Sequence, residues 1–275
     1  MPFGRGKGKE PPMPDPIVED GGVEDPTAWI LNNELANFLL MNTNEIKYMC
    51  MVGYTFLHGC KVFKKMNPSA PFSYKIVSLA MACTGGGILV PILLNTIPVT
   101  LAIDAYPIAI MISYLIHTHI PVLRDVLELS TIFKAVIILF YETMRTYVVT
   151  LFLGLAATTI APSQFAVPIF GPIVCGTIAG CGGAFLPLNK GLTPIETSGL
   201  APPMFTALVA SVFFHGVTQM ASAGYIEMED TPKKARVAVA LWFIGYAYWK
   251  NEIIPLPKLL SSHKPAVAVK VEKKD

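Results

Sequence analysis

The sequence predicts an all-α polytopic membrane protein: seven transmembrane helices, built as two inverted three-helix repeats plus a seventh helix. Three observations carry this. Hydrophobic residues make up 53% of the chain and charged ones 15%, against about 25% charged in soluble domains. Apolar runs near the roughly 20 residues needed to cross a bilayer follow one another from about residue 45 to 255. A glycine-proline signature in the second run returns in the fifth. The net charge of +2 and the confinement of basic residues to short clusters between apolar runs exclude a nucleic-acid partner. The cysteines, Cys50, Cys60, Cys83, Cys175 and Cys181, all fall inside apolar runs and read as small buried hydrophobes. No CxxC or Cys/His spacing accompanies them, so no metal site is expected.

Residues 1–26, rich in Pro, Gly, Asp and Glu, read as a disordered tail with no apolar core of a signal peptide, so insertion is expected to begin at an internal helix. Residues 27–44 read as an amphipathic helix in the membrane interface. Trp29, Leu31, Leu35, Phe38 and Leu39 recur at helical spacing, with Asn32, Asn33 and Glu34 opposite. Seven spans follow, at about 45–63, 75–95, 100–120, 130–156, 166–188, 200–222 and 234–254, giving a membrane domain over 45–255. Its repeats cover about 45–120 and 130–222. The fifth span is the clearest, because no charged residue occurs between Arg145 and Lys190. Lys47 interrupts the first span and Lys250 the last, where Trp242, Tyr246, Tyr248 and Trp249 suit an aromatic belt. Residues 256–275 form a basic tail.

Orientation follows from the basic residues of the short connections. Lys61, Lys64, Lys65, Arg124, Lys190, Lys250 and the lysines of the tail lie on one side. Fewer lie on the other, where Lys233, Lys234 and Arg236 are offset by Glu227, Glu229 and Asp230. The positive-inside rule puts the C-terminus in the cytosol and the N-terminus in a lumen or outside.

The second span reads Gly85-Gly86-Gly87-Ile88-Leu89-Val90-Pro91 and the fifth reads Gly180-Cys181-Gly182-Gly183-Ala184-Phe185-Leu186-Pro187. Both hold Gly-Gly, three apolar residues and Pro at one constant offset of three spans, so the two copies insert with opposite topology. Glycine pairs and proline free backbone carbonyls that lipid cannot satisfy. Gly85, Gly86, Gly87, Pro91, Gly180, Gly182, Gly183 and Pro187 are therefore expected at helix breaks facing a permeation path. The alternative is that they permit close packing, as Gly176 and Gly180 do at GxxxG spacing.

The fourth span carries Lys134, Glu142 and Arg145, each costing roughly 2.5–3.5 kcal/mol at a helix centre. Glu142 and Arg145 lie at i, i+3 and can pair. Either they satisfy each other while Lys134 snorkels, or they line a polar cavity or meet an anionic lipid headgroup. His117 and His119, closing the third span, read as interfacial. His215, inside the sixth, suits an interhelical hydrogen bond, and Asp104 begins the third on the luminal side. HExxH, GxSxG and phosphate-loop motifs are absent, so no enzyme is expected.

Over residues 45–255 these features resemble the trimeric intracellular cation (TRIC) channels. Members of that family have seven helices as inverted repeats with glycine-rich second and fifth helices. Their fourth helix carries a lysine, six largely apolar residues, Lys-Glu-Val and then an arginine. Here the register gives Lys134, Glu142 and Arg145, with Tyr141 in place of the first lysine of Lys-Glu-Val. Tyr114-Leu115-Ile116 with Pro121 adds a weaker match. The resemblance implies a homotrimer in endoplasmic or sarcoplasmic reticulum, each subunit passing potassium ions to balance charge during calcium release. It also implies a phosphoinositide headgroup beside the pore, for which the lipid-binding candidates are Arg145 and Lys134. A secondary transporter and a non-conducting scaffold remain as alternatives.

Overall fold

The computed structural model describes residues 25–181, 199–226 and 228–254, and among them all regular structure is helical. After a 3-10 turn at Ala28–Ile30 come α1 (Glu34–Leu40), α2 (Asn44–Lys65), α3 (Phe72–Leu93) and α4 (Val99–Ala102). Next are α5 (Ala105–His119), α6 (Val122–Leu129), α7 (Thr131–Thr159) and α8 (Phe170–Cys181). The last described helices are α9 (Pro202–Ser222) and α10 (Thr231–Lys250). Described helices fall within each of the seven expected stretches, the fifth being described only as far as Cys181. Three of them, α3, α7 and α9, are long and apolar enough to cross a membrane by length and composition alone. The pair α5 and α6, bent by 92°, would make a fourth. Large side chains such as Ile97, Leu101 and Ile132 are about three-quarters exposed or more, the pattern of a surface that faces lipid and not water.

Local chemistry sets the boundaries. The Thr43 hydroxyl accepts from the Ile46 amide to start α2, and the Ser130 hydroxyl accepts from Phe133 to start α7. Helix α3 ends with Asn95 left-handed at φ 53°. The Thr96 amide donates to the Pro91 carbonyl and the Asn95 amide to Ile92, a Schellman closure. The third expected span, 100–120, is not continuous. Extended Ile103 separates α4 from α5, and the presumed loop 121–129 is helix α6.

α7 is the central element. Its Val149 and Leu153 pack with Ala210 and Phe214 of α9 and with Ala235, Val239 and Phe243 of α10. Phe152 and Ala156 pack with Val90 and Leu94 of α3 and its end and with Cys175 and Ala179 of α8. Corresponding helices of the two repeats lie on one another, α2 on α7 and α3 on α8. Since lipid tails are as apolar as these side chains, close van der Waals contact holds them. The absence of a Cβ at Gly53, for example, lets α2 meet Phe140 of α7.

The interfacial helix expected over 27–44 is instead the short α1, stopped by left-handed Met41. It docks on protein, with Ala36, Leu39 and Leu40 buried against Val237, Ala240 and Ile244 of α10. Trp29 and Leu35, placed on the apolar face by the sequence, are exposed. The expected tail also ends sooner. Asp25 pairs with buried Lys234, whose ammonium donates to the Thr27 hydroxyl at 2.7 Å as well. Residues 1–24 and the basic tail 256–275 lie outside the described residues.

The hydrogen bonds from Lys234 and Thr27 hold the Asp25 carboxyl down at about 2, from 3.8. A depressed carboxyl contributes stability that is present above its unfolded value and lost as pH falls through the folded one. The 25–31 segment should therefore stay docked at neutral pH and release between about pH 4 and 2. Hydrogen exchange of the Ala28–Ile30 turn checks this, and Asp25→Asn should raise that exchange already at pH 7. A turn equally protected in the variant would refute the tether.

Candidate functional site

The fourth-span charges lie at the meeting point of four helices. Glu142 and Arg145 are 7% and 5% exposed, and Arg145 Nη1 donates to Glu142 Oε2 at 3.1 Å. Arg145 Nε donates to the Gly180 carbonyl of α8 at 2.9 Å. Its Nη2 donates to the Pro203 carbonyl at 2.7 Å and to Thr206 Oγ1 at 2.9 Å, both in the first turns of α9. The guanidinium carbon sits 4.2 Å from the ring centre of Phe243 in α10, a cation–π contact worth more in a dry setting. One side chain of α7 thus binds α8, α9 and α10, using four of the five donor hydrogens a guanidinium has.

That geometry goes beyond a simple ion pair. Two of the acceptors are backbone carbonyls, so Arg145 is a clamp on the second repeat as well as a partner of Glu142. Lys134 is not brought to it. It is half-buried in the first turn of α7, eleven residues and about 16 Å of helix away. The two lipid candidates therefore do not form one site.

The glycines behave differently from the breaks expected of them. α3 runs unbroken through Gly85, Gly86, Gly87 and Pro91. Glycine here permits contact: a Cβ on Gly86 would stand 2.6 Å from the carbonyl oxygens of both Ile178 and Ala179 in α8. Gly180 lies within helical α8, where a Cβ would meet Val149 of α7 at 2.7 Å and Ala207 of α9 at 2.8 Å. Gly176 sits likewise against Ser211 and Leu153. Close packing is the geometry at each of these positions. Gly182, Gly183 and Pro187 lie outside the described residues.

The histidines divide. His117 is 2% exposed; Gly59 leaves room for its ring, which stacks on Phe56 while Nε2 meets the Phe56 carbonyl at 3.0 Å. His119 is exposed. His215 Nε2 makes a 2.9 Å bond to the Pro168 carbonyl ahead of α8. Asp104 is exposed at the start of α5.

A further group escaped the sequence reading. Tyr54 of α2 stacks on Tyr141 at 4.9 Å, His58 lies 5.3 Å from the same ring, and Lys61 Nζ is 4.9 Å from its centre. At the position where the resemblance expects a lysine, the structure puts a tyrosine under a lysine from another helix. The signal was present: Tyr54, His58 and Lys61 lie at i, i+4 and i+7, one face of α2. Tyr147, two residues beyond Arg145, is flanked by Lys47 at 5.4 Å and Arg236 at 4.9 Å. A cleft of 590 Å³ between α2, α6 and α7 is lined by Tyr48, Met49, Phe56, Phe133 and Phe140 among others. Neither Glu142 nor Arg145 lines it, so it is separate from the paired charges.

No family model and no curated protein matches the chain. A solved structure does: a trimeric intracellular cation channel from C. elegans, determined in the absence of Ca2+. It has 15% sequence identity, a TM-score of 0.55, and coverage of 84% of this chain and 95% of that one. At that identity the likeness is one of fold. The chain is an all-helical, multi-pass membrane protein with the fold of that channel.

Proposed function

We propose that this chain is a channel for monovalent cations, chiefly potassium, assembled as a homotrimer in the endoplasmic or sarcoplasmic reticulum. There it would supply counter-ion current as calcium leaves the store, with its N-terminus luminal and its C-terminus cytosolic. The observation that carries the reading is the fold, shared over nearly the whole length of a channel protein. The interior supports it. A buried charge pair lies in α7 with the hydroxyls of Thr143, Thr146 and Thr150, and each charge is costly within a membrane span. In the arrangement described, the Gly86 contact brings α3 backbone to α8 backbone. Conduction between the repeats then requires these two helices to part. A phosphoinositide would meet Lys134, since Arg145 has committed four of its five donor hydrogens to protein acceptors.

The near-complete use of Arg145's donors by protein acceptors favours a second reading, a non-conducting scaffold whose polar groups lock helices together. Purified full-length protein in a planar bilayer separates the two. A channel gives unitary potassium current steps, a transporter gives flux without steps, and a scaffold gives neither.

A further inference from the structure

One cavity of the molecule has cations on its wall and no carboxylate. It lies at the end of the bundle where α2 and α5 finish and α3 and α6 begin. Its volume is 200 Å³, and Phe63, Pro68, Lys75, His117, Pro121 and Arg124 are among the residues that line it. No residue of α7 does, so it is separate from Glu142, Arg145 and Lys134.

Contacts between wall residues fix where the two charges sit. The Lys75 ammonium donates to the Pro68 carbonyl at 2.6 Å. Arg124 Nε lies 3.5 Å from the Pro121 carbonyl, and the guanidinium carbon is 5.9 Å from the centre of the Phe63 ring. All three of these partners belong to the same wall, so both charged ends are held at the cavity. Neither cation has an ion pair among the described residues. The carboxylates of α6 are spent elsewhere: Glu128 pairs with Lys64, and Asp125 is exposed and not on the wall. His117 is short of a partner too. Its Nε2 donates to the Phe56 carbonyl, which leaves Nδ1 as an acceptor, buried and without a donor among the described residues.

Two cations beside one cavity repel each other unless an anion lies with them. We infer that this cavity binds a phosphate group, gripped by the guanidinium fork of Arg124 and the ammonium of Lys75. The planar fork matches phosphate oxygens two at a time, and the ammonium adds a point charge. A phosphate monoester carries about −1.5 to −2 at neutral pH, which balances two cations, whereas a carboxylate balances one. A phosphate that retains a proton also brings a donor to a wall whose His117 Nδ1 has none. The volume is below the roughly 300–1,000 Å³ of sites for drug-sized ligands, which suits a single phosphate, free or at the head of a lipid. When occupied, the site ties α3 to α6 beside the 92° bend between α5 and α6. The inference does not depend on the channel reading.

The test uses full-length protein in detergent and reads melting temperature over a titration of inorganic phosphate, with sodium chloride holding ionic strength constant. Phosphate also stabilises proteins generally, through exclusion from their surfaces, so the double variant Arg124→Gln with Lys75→Gln sets the baseline. Wild type should rise above that baseline and saturate. Arg124→Gln and Lys75→Gln alone should each need at least about tenfold more phosphate for half the rise. Lys65→Gln, which removes an exposed charge that is not on the wall, should titrate as wild type does. The second arm places the same proteins in phosphatidylcholine nanodiscs with and without phosphatidic acid. A rise with phosphatidic acid alone assigns the bound group to a lipid, a rise with inorganic phosphate alone assigns it to a soluble ion, and a rise with both shows that the site accepts either. No rise above the double variant in either arm overturns the site. So does a Lys65→Gln protein that loses the rise as fully as Arg124→Gln. If Arg124→Gln and the double variant fail to fold, Lys75→Gln supplies the baseline and the same expectations apply.

Discussion

Arg145→Leu should destabilise the protein by about 3–5 kcal/mol, because it strands Glu142 as a buried charge. It also releases the Gly180 and Pro203 carbonyls from their donor. The double change Glu142→Leu with Arg145→Leu removes the stranded charge but not the orphaned carbonyls. It should recover only part of the loss and stay roughly 1–3 kcal/mol below wild type. An isolated ion pair would recover fully. Arg145→Lys should behave like the leucine variant with respect to α8 and α9, since one ammonium cannot reproduce a fork aimed at three elements. Thermal melting of the four proteins in one detergent decides the matter. An Arg145→Leu protein that melts with wild type would eliminate the clamp.

The second large effect is expected at the helix contact. Gly86→Ala places a methyl 2.6 Å from two backbone oxygens, and backbone cannot turn aside as a flexible side chain can. A loss of about 1–3 kcal/mol is expected for alanine and more for leucine. The neighbouring Gly87→Ala gives the contrast. Its methyl would meet only Thr100 at 3.4 Å and Phe152 at 3.9 Å, and alanine gains up to about 1 kcal/mol over glycine inside a helix. Gly87→Ala should therefore be neutral or stabilising. If the channel reading is right, Gly86→Leu also changes the unitary current, by forcing apart the two helices that must separate for conduction. Equal melting of the Gly86→Ala and Gly87→Ala proteins would show that α3 and α8 are not in the contact described.

Most of the helical framework was legible because hydropathy and caps agree. Thr43 and Ser130 mark the starts of α2 and α7 within a residue or two of the boundaries read from the sequence. The break at Ile103 was not legible, since an apolar residue in an extended conformation leaves no trace in a hydropathy pattern. α6 reads as a connection because residues 121–129 fall between two apolar runs and carry Arg124. Those same residues suit a short surface helix, and Glu128 joins it to α2 through Lys64. At the site, the Glu142–Arg145 pair followed from spacing alone. The other partners of Arg145 did not, because the Gly180 and Pro203 carbonyls are backbone groups that every residue carries. The glycine stretch was found correctly and its geometry misjudged. A missing Cβ can signal either a broken helix or a close neighbour, and only the position of α8 distinguishes them.

The docking of α1 on α10 has a consequence for biogenesis. The first described α-helix takes as its main partner the last described helix, and Asp25 likewise waits for Lys234. Until synthesis reaches that helix, only α7, through Leu139, offers Leu39 and Leu40 a surface, and a chain truncated before residue 231 leaves their docking incomplete. The segment 25–40 therefore completes its docking only after α10 is made, which ties one end of the described chain to the other.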